Sequence, residues 1–278
     1  MQLRLKSRML DLSAPVVMGV LNVTPDSFSD GGRFTQPDAA LARARAMVEE
    51  GARVVDVGGE STRPGAPPVA EATELERVVP VIERIRSELD CVVSIDTMKP
   101  GVMRAACAAG AELINDVMAL RAPGALLAAR DSGAAVCLMH MQGEPRTMQQ
   151  APAYLDAVEE VAAFLRDRAQ ACLDAGIARE RLVVDPGIGF GKDLRHNLEL
   201  LGGIDVIAEL GLPVMVGASR KSMFGQLLDR PVGERQAGGV AVAALAAWQG
   251  ARIVRTHDVR ATMDALTVTA AIRAARQE

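Results

Sequence analysis

The sequence predicts an α/β fold: a TIM (β/α)8 barrel forming one domain over residues 1–278, with an N-terminal β-hairpin that closes the barrel floor. Eight short apolar runs recur along the 278 residues, and amphipathic helical patterns separate them. Strands that alternate with helices to a count of eight are typical of a parallel barrel, and the length suits one. An open doubly wound sheet is the alternative, but no G-x-G-x-x-G sequence follows the first predicted strand.

The first predicted element is the hairpin, within residues 1–13, where Leu3 and Leu5 and then Met9 and Leu10 mark the apolar positions. The barrel strands that follow are short and apolar, as expected for strands buried on both faces. They are predicted at 16–21, 54–57, 91–95, 113–115, 135–139, 182–184, 213–216 and 252–254.

Helical patterns fill the intervals between these strands. A helix over 38–50 ends at Gly51, and a longer one over 154–175 ends at Gly176. A helix over 73–88 has apolar residues at helical spacing, with Thr73 and Glu76 spaced as a capping box. The helix over 236–249 is apolar on nearly every face. Because a barrel helix buries only one stripe, we expect this helix and its C-terminal neighbour to form a homodimer interface.

Composition excludes several classes of function. Hydrophobic residues make up 49% and charged residues 24%, and the net charge of −4 gives no reason to expect a nucleic-acid or membrane surface. The first ten residues lack the apolar core of a secretory signal, and no apolar run is long enough to span a bilayer. Four cysteines without short paired spacing indicate neither a zinc site nor a redox motif. We expect a cytoplasmic enzyme.

Polar residues end or follow every predicted strand. These are Asn22, Asp56, Asp96, Asn115, His140, Asp185, the run "GASRKS" and the run "RTH". In a barrel of this kind the active site lies at the carboxyl ends of the strands. Two segments on the same rim, 22–37 and 58–70, are too long and too rich in Gly and Pro for plain connections. We interpret them as lids or binding loops.

The last two strands suggest that an anion binds at this rim. Ser219-Arg220-Lys221 is predicted to begin a helix, whose N–H groups attract negative charge. Arg255 and His257 are two residues apart on one strand and would share a face, and Arg63 lies on the second loop. A phosphate or carboxylate is the predicted ligand.

Strands three, four and six end in Asp96, Asn115 and Asp185, which would face a common cavity. Two carboxylates and an amide can form a general acid/base pair, a metal site, or a set of acceptors for a donor-rich heterocycle. A cage of carboxylates and histidines is disfavoured, because His140 and His257 lie far apart around the ring. Spacing alone does not choose among these three possibilities.

The motifs at the strand ends resemble those of the dihydropteroate synthase family over essentially the whole chain. They are "MGVLNVTPDSFSDGG" (18–32), "DVGGESTRPGA" (56–66), "SIDT" (94–97), "INDV" (114–117), "DPGIGFGK" (185–192), "GASRKS" (217–222) and "RTHDV" (255–259). The resemblance implies a transferase of folate biosynthesis that joins 4-aminobenzoate to 6-hydroxymethyl-7,8-dihydropterin diphosphate. The products would be 7,8-dihydropteroate and diphosphate, and the enzyme would be a sulfonamide target.

The resemblance also implies roles for individual residues. Pterin would contact Asp96, Asn115, Met139, Asp185, Phe190, Gly217, Lys221 and Arg255. Diphosphate would contact Asn22, Thr62, Arg255 and His257, with Mg²⁺ held partly by Asn22. The aminobenzoate would contact Phe28, Thr62, Arg63, Pro64, Phe190, Ser219 and Lys221. The catalytic set would be Asp96, Asp185, Lys221, Arg255 and His257.

The implied mechanism is a dissociative, SN1-like displacement in which diphosphate departs early. Phe28 and the rest of the first loop would exclude water, while Asp26, Ser27 and Ser29 either fold that loop or contact the amine. Three rivals remain: a pterin-binding methyltransferase with a corrinoid partner, a phosphosugar barrel, and a non-catalytic pterin-binding paralogue. The methyltransferase would not need the anion-binding residues, and the phosphosugar barrel would leave Asp96, Asn115 and Asp185 without a role.

Overall fold

The predicted parallel barrel is confirmed. The structure is a computed structural model and describes residues 1–24, 36–61, 65–144 and 147–276. The barrel strands are β3 (Val16–Asn22), β4 (Val54–Gly58), β5 (Val92–Asp96), β6 (Leu113–Asp116), β7 (Ala135–Met139), β8 (Leu182–Asp185), β9 (Met215–Val216) and β10 (Ile253–Thr256). They pair in parallel in the order β8-β7-β6-β5-β4-β3-β10-β9. A parallel bridge between Val184 and Val214 joins the two ends of this order and closes the ring.

An antiparallel hairpin covers the floor of the barrel, as the sequence predicts. Its strands are β1 (Gln2–Arg4) and β2 (Met9–Asp11), and Leu3 pairs with Leu10. Leu3 and Leu10 are buried in one cluster with inward-facing strand residues such as Met18. Met9 is exposed instead, because neighbouring residues on a strand face opposite sides.

Helices surround the barrel and bury their apolar stripes against the outward-facing strand residues. They are α1 (Gln36–Glu49), α2 (Glu71–Glu88), α3 (Pro100–Ala109), α4 (Ala125–Ser132), α5 (Ala157–Asp174), α6 (Leu194–Gly202), α7 (Ile204–Ala208), α8 (Ser222–Leu228), α9 (Gln236–Gln249) and α10 (Val259–Ala275). Two connections each carry a pair of helices: α6 and α7 follow β8, and α8 and α9 follow β9. No helix within the described ranges is long and apolar enough to cross a membrane.

Four predicted helix starts are wrong. Helix α1 begins at Gln36 rather than Asp38. Helix α2 begins at Glu71 rather than Thr73, and its N-cap, Ala70, makes no side-chain cap, so the predicted capping box is absent from this end. Helix α5 begins at Ala157 because the Asp156 side chain accepts hydrogen bonds from the N–H groups of Val158 and Glu159. Helix α8 begins at Ser222, three residues later than predicted.

The alternation of side chains along each strand places the candidate site. On β10 the apolar inward position is Ile253, in the floor cluster, and the next inward position towards the carboxyl end is Arg255. The same step of two residues leads from Val54 to Asp56 on β4 and from Val183 to Asp185 on β8. The lower half of the barrel is therefore apolar, and charged groups occupy the level above it.

Candidate active site

Arg255, on β10, lies at the barrel mouth. Its side chain passes β3 and contacts residues on the next two strands, β4 and β5. Its Nε donates to Asp56 Oδ2 at 2.6 Å, and its Nη2 donates to Asp96 Oδ2 at 2.7 Å. Burial disfavours the Arg255 charge, but the carboxylates of Asp56 and Asp96 outweigh this, so the Arg255 pKa lies above its ordinary value. The guanidinium stays charged at every working pH.

Asp96 sits at the carboxyl end of β5 and is nine-tenths buried. Burial raises the pKa of Asp96 to about 7, against the lowering effect of Arg255. The Arg255 contact uses Oδ2, and an ionised carboxylate accepts several hydrogen bonds, so Asp96 can also accept from a ligand.

Asp56 also belongs to this cluster and lies on its barrel-floor side. No role in the site is predicted for it from the sequence. Its Oδ2 accepts from Arg255 and also from Asn115 Nδ2, at 3.0 Å. Asp56 is fully buried, because β4 continues two residues further to Gly58. The spacing along the strand could have identified it. Asp56 lies two residues after the inward-facing Val54, so it faces inward too, at the level of Arg255.

Asp185 ends β8 and is held by the loop that follows it. Its Oδ1 accepts from the Gly187 N–H at 2.7 Å. Burial raises the pKa of Asp185 to about 6, while the Gly187 hydrogen bond and then the charge of Lys221 lower it. Asp185 and Asp96 also act electrostatically on Arg255, so the three groups share one cup. The expected convergence of these residues is present.

The loop 186–192 owes its shape to a buried lysine. Lys192 Nζ donates to the carbonyls of Gly187 (3.0 Å) and Phe190 (2.9 Å) and to His140 Nδ1 (2.9 Å). Since an ammonium only donates, His140 Nδ1 accepts and the ring proton lies on Nε2. Burial and the Lys192 charge lower the pKa of His140 to about 2. His140 therefore supports the loop and does not face the cup.

Burial also lowers the pKa of Lys192 to about 7. The three close acceptors around Nζ favour its charged form, which is the form that can donate to all of them. The loop that carries Phe190 is therefore fixed by charge-assisted hydrogen bonds at its base.

Lys221 and Phe190 form the outer wall of the cup. Lys221 Nζ lies 4.0 Å from the centroid of the Phe190 ring, a cation–π contact. Phe190 also packs against a small apolar cluster that includes Met139. Gly217 lies beside Arg255, and a Cβ on it would approach the Arg255 Cβ at 3.5 Å, so this position leaves the arginine side chain room.

His257 and Ser219 meet at the rim. Ser219 Oγ lies 3.1 Å from His257 Nδ1 and accepts from the His257 N–H at 3.2 Å. The prediction that Ser219, Arg220 and Lys221 begin a helix is wrong: Lys221 is the N-cap of α8, and Arg220 pairs with Asp258 at 2.6 Å. Side chains of Ser219 and His257, rather than a helix end, therefore occupy this part of the rim.

Asn22 ends β3 beside Asp96. A Cβ built on Gly58 would lie 3.7 Å from Asn22 Oδ1 and 3.8 Å from Asp96 Oδ2, so both oxygens border the same gap. No group of three or more His, Cys, Asp or Glu side chains within the described ranges could hold a metal. Magnesium commonly takes one or two protein oxygens and completes its shell with water and substrate phosphates, and Asn22 fits that pattern.

Four predicted site residues, Phe28, Thr62, Arg63 and Pro64, lie outside the described residues, as do Asp26, Ser27 and Ser29. The remaining predicted residues, from Asn22 to His257, all lie at the carboxyl ends of the barrel strands or in the loops that follow. On the described part of the chain, Arg255, Asp185 and Ser219 each make hydrogen bonds that hold this group together.

Comparisons with known proteins identify the family. A family model described as pterin binding enzyme matches residues 18–257. The dihydropteroate synthase of Haemophilus influenzae is 51% identical over 268 residues, which cover 96% of this chain and 98% of the relative.

Two solved structures superpose along nearly the whole chain. The Yersinia pestis dihydropteroate synthase, in a sulfonamide drug complex, has a TM-score of 0.94 at 50% identity, covering 99% of this chain and 100% of that one. The Xanthomonas albilineans enzyme in complex with 7,8-dihydropteroate has a TM-score of 0.91 at 49% identity, with 99% of both chains covered. The chain therefore belongs to the pterin-binding enzyme family and, within it, to the dihydropteroate synthases, which are transferases.

Proposed function

We propose that the chain condenses 6-hydroxymethyl-7,8-dihydropterin diphosphate with 4-aminobenzoate to give 7,8-dihydropteroate and diphosphate. The observation that carries the proposal is the Arg255 guanidinium in contact with two buried carboxylates at the barrel mouth. One cup thus presents acceptors for a donor-rich ring beside a permanent positive charge for an anion. The complex of the Xanthomonas albilineans relative with 7,8-dihydropteroate supports the same chemistry.

The pterin would bind along the carboxylates. A 2-aminopterin edge carries N–H donors, and Asp96, Asp185 and the Asn115 carboxamide oxygen are acceptors. Lys221 would donate to the acceptor atoms of the ring. Arg255 would stack over the ring face, because a guanidinium is planar and packs well on flat π systems.

The bond changes would be a displacement at the pterin methylene. The C–O bond to diphosphate breaks first, and its electron pair leaves with the diphosphate. The arylamine nitrogen then forms the C–N bond and loses a proton to solvent. Since 4-aminobenzoate is neutral at nitrogen near pH 7, no strong base is required. Asp96 and Asp185 would stabilise positive charge that spreads into the ring as diphosphate departs.

The leaving group would be held at the rim by Arg255 and His257. Contacts among the described residues engage Nε and Nη2 of Arg255, and its remaining N–H donors can face the diphosphate. Asn22 would hold a Mg²⁺ ion, which would neutralise charge on the departing diphosphate. A turnover rate that is insensitive to metal chelation would remove the ion from this proposal.

The direct test is diphosphate release that depends on 4-aminobenzoate. We expect release with both substrates, and loss of about 100-fold or more in kcat/KM for Arg255→Ala, because the variant loses charge stabilisation in the transition state. Arg252→Ala is the matched control, since Arg252 directly precedes the floor end of the same strand and donates to Ser13 O. Normal turnover by Arg255→Ala, or release without aminobenzoate, would contradict the proposal.

The early departure of diphosphate has its own test. Substrate labelled with ¹⁸O in the bridging position should scramble the label into non-bridging positions of recovered substrate if the C–O bond breaks before C–N formation. Label that stays in the bridge, in enzyme that turns over normally, would favour a concerted displacement.

The aminobenzoate would lie outside the pterin, against Phe190 and Lys221, with its carboxylate near Ser219. Lys221 and Phe190 are in contact with each other, so together they would form one wall of that site. A sulfonamide resembles 4-aminobenzoate in shape and charge distribution. The sulfonamide complex of the Yersinia pestis relative supports binding of such drugs here. We expect inhibition that is competitive with 4-aminobenzoate.

We also propose a homodimer through α9 and α10, which pack against each other. Leu245 on α9 is 61% exposed, and Val268 and Ile272 on α10 are 59% and 55% exposed. Such a cluster is typical of an interface between subunits. We expect light scattering to give twice the chain mass and Leu245→Asp/Val268→Asp to give a monomer, with Leu155→Asp, at an exposed leucine elsewhere, as control. A wild-type monomer at all concentrations would exclude the interface.

A cytoplasmic location stays a prediction.

A further inference from the structure

Asp56 is the most deeply buried charged group of the cup, and the roles proposed above do not use it. Its side chain is 0% exposed, whereas Asp96 and Asp185 each retain a small exposed fraction. A side chain without exposed surface is not open to a ligand in the mouth. Its contacts are instead with two residues that do face the ligand, Arg255 and Asn115.

One oxygen of Asp56 holds both of these residues. Oδ2 accepts from Arg255 Nε at 2.6 Å and from Asn115 Nδ2 at 3.0 Å. A short hydrogen bond between ionised partners at Nε fixes the plane of the guanidinium, because the guanidinium is rigid. Asp96, on Nη2, provides the second fixed point.

The same oxygen determines which way the Asn115 amide faces. A carboxylate only accepts hydrogen bonds, so the NH2 group of Asn115 must point down towards Asp56. The carboxamide oxygen of Asn115 then points towards the ligand. Without Asp56 the amide could turn over and present donors to a pterin edge that itself consists of donors.

We propose that Asp56 is a positioning residue that sets the plane of Arg255 and the direction of the Asn115 amide before substrate binds. The inference rests on the proposed function, since it concerns how these two residues meet the pterin diphosphate. Asp56 itself touches no substrate and takes no part in the bond changes.

The second oxygen of Asp56 makes a conservative variant possible. Oδ1 has no hydrogen-bond partner among the described residues, and the same holds for Ser94 Oγ. Ser94 occupies the paired position on β5. In Asp56→Asn the amide oxygen can take the place of Oδ2, and its NH2 group can lie where Oδ1 now lies. This variant should keep both hydrogen bonds and lose only the charge.

The experiment compares Asp56→Ala with Asp56→Asn in the full-length enzyme. We expect Asp56→Ala to lower kcat/KM for pterin diphosphate about 100-fold, because small misplacements of binding groups have effects of that size. Asp56→Asn should recover most of this loss and stay within about 10-fold of wild type, since its hydrogen bonds remain. The KM for 4-aminobenzoate, measured at saturating pterin diphosphate, should change little in either variant.

A double-mutant cycle separates positioning from general loss of structure. If Asp56 acts through Arg255, Asp56→Ala should cost less than about 10-fold in an Arg255→Ala background, against about 100-fold in wild type. Equal losses in both backgrounds would overturn the proposal, as would wild-type kinetics for Asp56→Ala.

The matched control is Asp116→Asn. Asp116 is also fully buried at the end of a barrel strand, but among the described residues its side chain accepts only from the N–H groups of Met118 and Leu120. We expect this variant to melt at a lower temperature with kinetic constants, per folded molecule, that are close to those of wild type. If Asp56→Ala behaves in the same way, Asp56 is structural. Absence of turnover in wild-type enzyme would instead contradict the proposed function.

Discussion

At the scale of single residues, Asp185 shows how the backbone can fix a side chain that is proposed to bind the ligand. Its Oδ1 is committed to the Gly187 N–H, and burial raises its pKa to about 6, against the lowering effects of that hydrogen bond and of the Lys221 charge. Under the proposed function, the second oxygen would accept from the pterin edge. Asp185 is therefore an acceptor with one orientation, which is what a donor-rich ring requires.

Asp185→Asn tests this assignment. Asparagine can keep the Gly187 hydrogen bond with its Oδ1 but turns an NH2 group towards the N–H donors of the pterin. We expect the affinity for pterin diphosphate to fall by about 10-fold to 100-fold, measured by isothermal titration, because a donor facing a donor is left unpaired. Asp229→Asn, at an exposed position, is the control. Unchanged affinity for Asp185→Asn would place the pterin elsewhere.

The sequence located these residues because parallel strands bring their carboxyl ends to one rim. Asp96, Asn115, Asp185 and Arg255 were each recognisable as strand ends, and all four lie at the barrel mouth. Asp56 was recognised as a strand end but not as part of the site. Its partner Arg255 lies 199 residues away, and only the closed ring shows that the two face each other.

At the scale of elements, helix starts were harder to predict than strands. Thr73 and Glu76 have the spacing of a cap, but α2 begins earlier, and its buried Glu74 bonds with Lys99 of the next connection. The sequence predicts a helix end at Ser219, which instead contacts His257, the residue after β10. In both cases the residues near the predicted start contact a residue distant in sequence. The local sequence of the segment does not show such a contact.

The loop 186–192 is the element on which the site most depends. Gly187 has φ +68°, and a Cβ on it would lie 1.9 Å from the His140 carbonyl oxygen. Lys192 Nζ donates to the same His140 carbonyl oxygen and to the Gly187 carbonyl oxygen. The backbone of this loop is thus confined between β7 and the cup, and its N–H aims Asp185.

We expect Gly187→Ala to disrupt this loop. The methyl group cannot be placed without moving β7 or the loop, and the left-handed conformation adds strain, so unfolding should cost at least about 2 kcal/mol less than in wild type. Chemical denaturation measures the loss, and pterin affinity should fall with it. Gly202→Ala is the matched control, because a Cβ on this helical glycine meets nothing within 4 Å. Equal stability of the two variants would contradict the packing described for Gly187.

At the scale of the whole molecule, burying several ionisable groups makes stability depend on pH. Burial raises the pKa of Asp96 to about 7 and those of Asp116 and Asp185 to about 6. The folded chain therefore binds more protons at these carboxyls than the unfolded chain between roughly pH 4 and 7. Their contribution to stability is complete below about pH 4 and is lost progressively as the pH rises to between 6 and 7.

His140 opposes this trend. Its pKa is lowered to about 2, so below about pH 6.5 only the unfolded chain takes up this proton, and acid destabilises the fold at this residue. The pKa of Lys192 is lowered to about 7, so the pH range in which Lys192 changes the stability lies above pH 7. Between pH 5 and 7 three carboxyls thus act against one histidine, and we expect the ligand-free protein to melt at a lower temperature at pH 7 than at pH 5.5.

Asp185→Asn separates one proton from the rest. The variant keeps the Gly187 hydrogen bond but no longer titrates, so the slope of unfolding free energy against pH should become less negative by up to about 1.4 kcal/mol per pH unit. Denaturant unfolding at pH 5.5, 6.25 and 7 and constant ionic strength measures both slopes. Asp229→Asn, at an exposed position, should leave the slope as in wild type. A wild-type melting temperature that rises from pH 5.5 to 7 would mean that the carboxylates are stabilised by their partners more than burial opposes them.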